Sequence, residues 1–363
     1  MTEKLKVHSP YDGHLIKEID VDDEASIEEA LATAHRLEQK KPLPTPERIA
    51  ILNKTADLVE AKAEEFARQS AEEGGKPLID SQIELARAVQ GIREAANSIG
   101  QLTGHEIPMN LTTSSMNRMA FTTREPVGVV AAVSAFNHPF NLIVHQVIPG
   151  VAVGCPVIVK PALITPLSCL NLVNCLYEAG LPKEWVQVAI CENSLAEKIV
   201  TDPRVSFLTF IGSGKVGWGL RSKLAPGARC ALEHGGAAPV IVEADADIDD
   251  ALPLLAKGGF YHAGQVCVSV QRVFVHEDIV EEFSRKLADI AGKLVVGDPV
   301  DEKTEVGPLI QEREVERIHK WVEEAKAGGG KILTGGKKIG KTCYEPTVIL
   351  NPPYDANVSQ CEI

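Results

Sequence analysis

From Val127 onward the chain alternates short apolar segments of strand length with longer segments of helical periodicity. The strand-like segments are 128–136, 156–160, 186–190, 205–211, 230–233 and 239–242. The helix-like segments between them are 142–153, 166–179, 196–201 and 215–224. Parallel strands need a long crossover, usually a helix, so this alternation predicts an α/β fold with a parallel sheet covered by helices.

The first hundred residues are helical in pattern. Ser26 opens a capping-box sequence and predicts a helix to about residue 39. Thr45 is predicted to cap a second helix, with proline at its first position, that keeps its periodicity until Gly74. A third helix is predicted from Pro77 toward Gly100.

The segment from 108 to 124 lacks this helical pattern. It is polar, rich in Thr, Ser and Met, and flanked by prolines. Two interpretations stay open for it: an exposed loop, or a protruding β-hairpin that pairs with another subunit. A chain of 363 residues also exceeds what one hydrophobic core usually serves, so two or three domains are expected.

Charge and cysteine usage limit the partners. A net charge of −13 argues against nucleic-acid or anionic-membrane binding, which depends on clustered Lys and Arg. The longest apolar run, 144–159, is interrupted by His, Gln, Pro and Gly and does not predict a membrane span. The eight cysteines form no CxxC pair and have no zinc-ligand spacing, and the N-terminus lacks a signal-peptide core. We therefore predict a cytoplasmic protein without a bound metal.

One cysteine stands out by its neighbours. Cys267 follows Gly264 and Gln265 and precedes an apolar strand, while Glu233 lies 34 residues upstream on a Gly235-containing hinge. A thiol with a candidate base elsewhere in the chain is typical of a covalent nucleophile. Taken alone, such a cysteine is more often a small buried hydrophobic residue.

Two further motifs indicate nucleotide binding. Gly212, Ser213 and Gly217 belong to a GxGxxG sequence between an apolar strand and a helix, which suits a pyrophosphate at a helix N-terminus. A tight strand-to-helix turn is the alternative. Lys160 closes another strand, where it can meet a ribose or phosphate, although a solvated lysine is more frequent at such a strand end.

Asn137 closes a third strand, and its amide can donate to a developing oxyanion or simply cap a turn. His138, Leu142 and His145 follow at helical spacing and share one face. That face lines the pocket if Asn137 is at the reaction centre; otherwise the histidines are surface residues.

With these motifs in this order, the chain resembles the NAD(P)-dependent aldehyde dehydrogenase superfamily over nearly its whole length. The resemblance implies a Rossmann-like cofactor domain (1–107 and 127–234), an oligomerisation hairpin (108–126) and a smaller catalytic domain (235–363). It also implies a homodimer or homotetramer. The chain end at Ile363 falls where the resemblance expects further sequence, so we expect a C-terminally incomplete, poorly soluble and nearly inactive chain.

The resemblance also implies roles for single residues. Cys267 corresponds to the nucleophile, Glu233 to the general base, and Asn137 with the Cys267 N–H to the oxyanion hole. The positions expected to bind NADP or NAD are Phe136, Lys160, Leu163, Gly212, Ser213, Gly217 and Glu362. The positions expected to line the substrate pocket are His138, Leu142, His145, Tyr261, Val266 and Val268.

Three positions depart from the family pattern. Gln146 replaces a lysine proposed to relay protons, and His234 replaces a leucine after the base. Leu163 replaces a glutamate that is frequent in NAD-preferring members, so we expect NADP to be tolerated or preferred.

The favoured function is oxidation of a small aldehyde, of the semialdehyde type, to its acid with NAD(P)+. The pathway implied is a thiohemiacetal and then a thioester on the cysteine. One alternative is a thiol hydrolase, which does not explain the nucleotide motifs. The other is a non-catalytic folded remnant that binds nucleotide or a sister subunit.

Overall fold

The computed structural model describes residues 4–363. Its strands are β1 (Lys4–His8), β2 (Leu15–Asp20), β3 (Glu106–Ile107), β4 (Ala120–Phe121), β5 (Val129–Val133), β6 (Val157–Lys160), β7 (Val186–Val188), β8 (Val205–Gly212), β9 (Arg229–His234), β10 (Ala238–Val242), β11 (Val270–Val275), β12 (Lys331–Thr334), β13 (Lys338–Ile339), β14 (Cys343–Tyr344) and β15 (Val348–Leu350). Its helices are α1 (Glu24–Glu38), α2 (Thr45–Ala61), α3 (Ala63–Gly74), α4 (Leu78–Ser98), α5 (Asn141–Val153), α6 (Leu167–Ala179), α7 (Asn193–Thr201), α8 (Gly214–Arg221), α9 (Ile248–Phe260), α10 (Val280–Ala291), α11 (Glu312–Ala327) and α12 (Asn357–Gln360).

The centre of the fold is a five-stranded sheet in the order β7-β6-β5-β8-β9. All four neighbouring pairs are parallel. The chain moves outward from β5 to β7, then returns to the other side of β5 to form β8 and β9. In sheets of this kind ligands bind beyond the carboxyl ends of the strands, where the order reverses, here between β5 and β8. The predicted α/β fold is confirmed.

Helices cover both faces of this sheet because its strands are apolar on both sides. Val130 and Ala132 pack into one buried cluster together with residues of α2, α4, α5 and α6. Val129 and Ala131 point the other way, into a second cluster with residues of α1 and α7. This packing on both faces fixes the strand ends at which the βα loops begin.

The N-terminal helices differ in detail from the sequence prediction. Asp23, not Ser26, caps α1, because the Asp23 carboxylate accepts the Ser26 N–H at 2.9 Å. Ser26 therefore lies in the first helical turn and the predicted capping box is wrong. The second predicted helix is two helices, interrupted at Lys62. Pro44 occupies the cap position of α2, and Thr45 is its first residue.

The segment predicted as a hairpin or loop contains β4, which forms a short antiparallel pair with β3, and β3 lies just before the segment. Its tip is unusually apolar for exposed chain: Leu111, Met119 and Phe121 are 80%, 86% and 69% exposed. The hairpin is present, and its pairing with another subunit stays a prediction.

The last third contains the parallel pair β10–β11, the antiparallel pairs β12–β15 and β13–β14, and helices α9 to α12. Phe283 of α10 is buried between α9 and the β10–β11 pair. In residues 4–363, no helix combines the length and apolar character needed to cross a bilayer.

Candidate active site

The loop that carries Cys267 joins α9 to β11. His262, Ala263 and Gly264 have positive φ values of 49°, 55° and 78°, which turn the chain sharply. The Gln265 side chain fixes the loop: its Oε1 accepts the Ile310 N–H at 2.8 Å and its Nε2 donates to the His262 carbonyl at 3.2 Å. Cys267 follows this anchored segment and is exposed.

Asn137 lies beside the same loop. Its Nδ2 donates to the Gln265 carbonyl at 2.9 Å, two residues before the thiol. Its Oδ1 is buried and accepts no hydrogen bond within the part of the chain described. An amide nitrogen carries two N–H donors, so one fixes the side chain and the other is left for a ligand oxygen. The structure thus brings Asn137 and the cysteine loop together.

His138 continues this contact, with Nε2 2.8 Å from the Tyr261 hydroxyl. Burial, together with the charge of Lys76, lowers the pKa of His138 to about 4. Burial also lowers the pKa of His145, which lies on the exposed side of α5. Burial thus disfavours the charged form of both imidazole rings.

Two carboxylates act on the thiol. Glu233 lies at the end of β9, and Glu362 packs against Gly235, where a Cβ would come 1.7 Å from Glu362 Oε1. Burial raises the pKa of the Cys267 thiol, and the negative charges of Glu362 and Glu233 raise it further. The backbone N–H groups of Cys267 and Val268 act in the opposite direction. These N–H groups therefore lie where they stabilise negative charge on the Cys267 sulfur.

The glycine-rich turn runs from β8 into α8. Ser213 is the N-cap residue, and its side chain forms no capping hydrogen bond. The first N–H groups of a helix have no partner within the helix, so they are available to an anion beyond the switch point. Gly217 allows a close approach of His234, since a Cβ on Gly217 would lie 2.2 Å from His234 Nε2.

Lys160 ends β6 and is 7% exposed. Its ammonium has a single long contact, 3.5 Å to Asn193 Oδ1, although it carries three donors. Burial lowers the pKa of Lys160. An under-bonded buried ammonium at the carboxyl end of a parallel strand fits the hydroxyl and phosphate groups of a dinucleotide such as NAD or NADP.

The other predicted cofactor positions have different surroundings. Leu163 packs on the apolar cluster formed by Val7, Ile19 and Leu167. Phe136 has its ring edge-on to His262, and its carbonyl accepts from Thr165 Oγ1 at 3.5 Å.

Among the predicted pocket residues, Val268 is 72% exposed whereas Val266 is only 5% exposed. Leu142 is half-buried in α5. A separate apolar cavity of about 530 Å³ lies behind β11 and includes neither Cys267, Asn137 nor Glu233.

Gln146 has a structural explanation that the sequence did not provide. It is 4% exposed, and its Nε2 donates to the Val133 and Thr209 carbonyls, both at 3.0 Å. These carbonyls belong to the adjacent strands β5 and β8. Gln146 therefore joins the two strands on either side of the switch point.

Sequence reasoning also missed three charged residues of α3 and α4. Glu73 and Glu84 are buried, and Arg87 is exposed but contributes to the electrostatic environment of His138, His145 and Tyr261. Charged residues on the buried stripe of a helix were the available signal, since unpaired charges are almost never buried.

Comparison with known proteins places this geometry in a family. A sequence model described as the aldehyde dehydrogenase family matches residues 1–363. The 3-sulfolactaldehyde dehydrogenase of Priestia aryabhattai is 40% identical over 362 residues, which cover 99% of this chain and 75% of that protein.

Two solved structures are similar over almost all of this chain. Aldehyde dehydrogenase 21 from Physcomitrella patens, in complex with the reaction product succinate, is 34% identical with a TM-score of 0.95; 99% of this chain and 75% of that chain are covered. The glyceraldehyde-3-phosphate dehydrogenase GapN from Methanocaldococcus jannaschii, complexed with NADP, is 34% identical with a TM-score of 0.93; 100% of this chain and 78% of that chain are covered. The chain belongs to the aldehyde dehydrogenase family, an NAD(P)-dependent oxidoreductase family that converts aldehydes to carboxylic acids through a cysteine.

Proposed function

We propose that Cys267 is the nucleophile of this aldehyde oxidation. After the thiol loses its proton to solvent, the Cys267 thiolate attacks the aldehyde carbon, a C–S bond forms, and the carbonyl electron pair moves to oxygen. The free N–H of Asn137 Nδ2 and the Cys267 backbone N–H stabilise this oxyanion. The observation that carries the proposal is the Asn137–Gln265 hydrogen bond at 2.9 Å, which places the amide beside the thiol loop.

Lys160, Ser213 and the first N–H groups of α8 would hold NAD or NADP. When bound, the cofactor supplies the acceptor for the hydride of the substrate carbon.

Glu233 is proposed to deprotonate the water that hydrolyses the thioester on Cys267. Water oxygen bonds to the acyl carbon, the C–S bond breaks, and the thiolate is released with the carboxylic acid. Glu233 suits this task because it is exposed at the end of β9 and is followed by Gly235 and Gly236, which permit backbone movement. Glu362, packed against Gly235, is proposed to contact the nicotinamide ribose.

The substrate class we propose is a short aldehyde with a distal anionic group. The names of the three similar proteins point to a sulfonate, to a dicarboxylate product and to a phosphate ester. In this chain the exposed cation Arg87 lies close enough for its charge to act on His138, His145 and Tyr261. Arg87 makes no ion pair with any other residue of the segment 4–363, so its charge is available to a substrate anion.

Pre-steady-state kinetics test the assigned steps. Cys267→Ala is expected to abolish NADPH formation and esterase activity alike. Glu233→Gln is expected to keep a first-turnover burst of NADPH and lose steady turnover, because acylation precedes hydrolysis. Equal activity of Cys267→Ala and the parent chain contradicts the mechanism.

A matched pair of aldehydes tests the substrate class. Succinate semialdehyde and butanal have the same carbon number but differ in the distal carboxylate. Arg87→Met should lower kcat/KM for succinate semialdehyde by about tenfold or more, the usual scale for a lost charge-assisted hydrogen bond, and leave butanal unchanged. Preference of the parent chain for butanal would rule out the anionic class.

We further propose that the hairpin at 108–126 pairs with a second copy, giving a homodimer or homotetramer. The exposed apolar side chains of Leu111, Met119 and Phe121 support this. Sedimentation of the parent and of Met119→Lys measures the assembly, and an unchanged sedimentation coefficient would argue against the hairpin contact.

A cytoplasmic location is supported by the eight cysteines, all of which are free thiols in the structure.

A further inference from the structure

Helix α5, which follows the Asn137 loop, has no capping side chain of its own. Phe140 occupies its N-cap position and no local side chain accepts its first N–H groups. The carboxylate of Glu84, from the middle of α4, takes over this role: Oε1 accepts the N–H of Phe140 at 3.1 Å and of Asn141 at 2.8 Å. The second oxygen of Glu84 pairs with the ammonium of Lys76.

Helix α6, which follows the Lys160 loop, is built the same way. Pro166 is its N-cap residue and provides no capping side chain. Glu73, near the end of α3, accepts the N–H of Leu167 at 2.9 Å and the N–H of Ser168 at 2.8 Å. It also accepts the Ser168 hydroxyl at 2.5 Å.

These carboxylates are deeply buried. Glu73 is 0% exposed, Glu84 2% and Lys76 1%. Burial raises the pKa of Glu73 to about 7 despite its three hydrogen bonds. A local Ser or Asn at the N-cap would satisfy the same N–H groups without burying a charge. The remote carboxylates do something that a local cap cannot: they fix each βα loop relative to the helices α3 and α4.

The two loops also contact each other at this point. A Cβ on Gly74, next to Glu73, would lie 3.6 Å from Thr165 and 3.9 Å from the Phe136 carbonyl. Thr165 precedes α6 and Phe136 precedes Asn137. The end of α3 therefore touches both loops that carry candidate site residues.

We propose that Glu84 and Glu73 are positioning residues, Glu84 for the Asn137 amide and Glu73 for the Lys160 loop. The inference rests on the roles proposed above for Asn137 and Lys160. It predicts separable effects: Glu84 controls thiol acylation, and Glu73 controls cofactor affinity.

The test for Glu84 keeps the charge balanced. Lys76→Met/Glu84→Gln retains the Oε1 acceptor, whereas Lys76→Met/Glu84→Leu removes it, and neither variant leaves a buried unpaired charge. Active sites are counted by stoichiometric alkylation of Cys267. The Leu pair is expected to acylate about tenfold or more slowly per active site than the Gln pair, since small misplacements of a catalytic group have effects of this size. Both should bind NADPH with the parent dissociation constant.

The test for Glu73 uses NADPH fluorescence titration. Glu73→Leu removes all three acceptor contacts and Glu73→Gln keeps one amide oxygen. We expect the dissociation constant for NADPH to rise about tenfold in Glu73→Leu and less in Glu73→Gln, with the acylation rate at saturating cofactor unchanged. Asp202→Asn is the control, because Asp202 accepts the Arg204 N–H at 2.9 Å just before β8, at the opposite end of the sheet.

Two reference variants distinguish a failure of the roles proposed for Asn137 and Lys160 from a failure of the positioning roles proposed for Glu84 and Glu73. If Asn137→Ala acylates normally and Lys160→Ala binds NADPH normally, the proposed site roles fail. If those two variants lose function while the Glu84 pairs acylate equally, or Glu73→Leu binds NADPH like Asp202→Asn, the positioning inference is overturned. Equal losses of acylation and binding in every variant also overturn it, because they indicate general destabilisation.

Discussion

Gln146 offers a quantitative test of how the two central strands are held together at the site. In Gln146→Met the side chain keeps its length but loses its N–H groups. The Val133 and Thr209 carbonyls, each now bound at 3.0 Å, would lose their side-chain donor. A buried polar group left unsatisfied costs about 1–3 kcal/mol.

Removing the side-chain oxygen of Gln146 gives a smaller, stabilising contribution. Gln146 Oε1 is buried and has no hydrogen-bond partner within residues 4–363, so removing it relieves about 1–3 kcal/mol of desolvation. Two lost donors against one relieved acceptor leave a net destabilisation of about 2 kcal/mol. Gln146→Glu should be worse at high pH, because an ionised carboxylate would face two carbonyl oxygens.

The assay is urea unfolding followed by tryptophan fluorescence, with midpoints compared at equal m-value. For Gln146→Glu the sign follows from linkage: the folded state raises the pKa of the new carboxyl, so stability is highest at low pH and is lost as pH rises through that pKa. A midpoint of Gln146→Met equal to that of the parent, or a Gln146→Glu variant more stable at pH 8 than at pH 5, would refute the reasoning.

Three further outcomes are expected. The parent should use NADP at least as well as NAD, and Leu163→Glu should shift kcat/KM toward NAD because a carboxylate repels the 2′-phosphate; a large NAD preference of the parent contradicts this. Without cofactor, the rate of Cys267 alkylation by iodoacetamide should increase with pH, with a midpoint above the ordinary thiol pKa because burial raises the pKa of Cys267. Glu362→Gln should lower this midpoint by removing a nearby negative charge, and an unchanged midpoint contradicts the prediction. Gly217→Ala should destabilise by about 1–3 kcal/mol through overpacking, and His234→Ala should relieve this in the double variant, whereas strict additivity would show that the two do not touch.

The sequence predicted the sheet well because the relevant signals are local. Apolar runs between helical segments identify β5, β6, β7, β8 and β9 to within a few residues. The reason is plainest for β5 and β6, because a strand buried on both faces has to be largely apolar. The same local signals were less reliable at helix starts. Asp23 and Ser26 are both good capping residues, and only the backbone shows which of them precedes the first turn.

By itself, the sequence determined the fold class and the identities of the groups available for chemistry: the thiol of Cys267, the carboxylate of Glu233, the amide of Asn137 and the glycines before α8. Only the tertiary structure decided how those groups are supported. Asn137 reaches the cysteine loop across 128 residues of sequence, and Glu84 reaches the start of α5 across 57. Such contacts cannot be predicted from hydrophobic periodicity, because the hydrogen-bond partner that stabilises a buried polar side chain lies in a distant segment of the chain. Burial then sets the thiol and imidazole pKa values, which depend on what surrounds a group rather than on its neighbours in sequence.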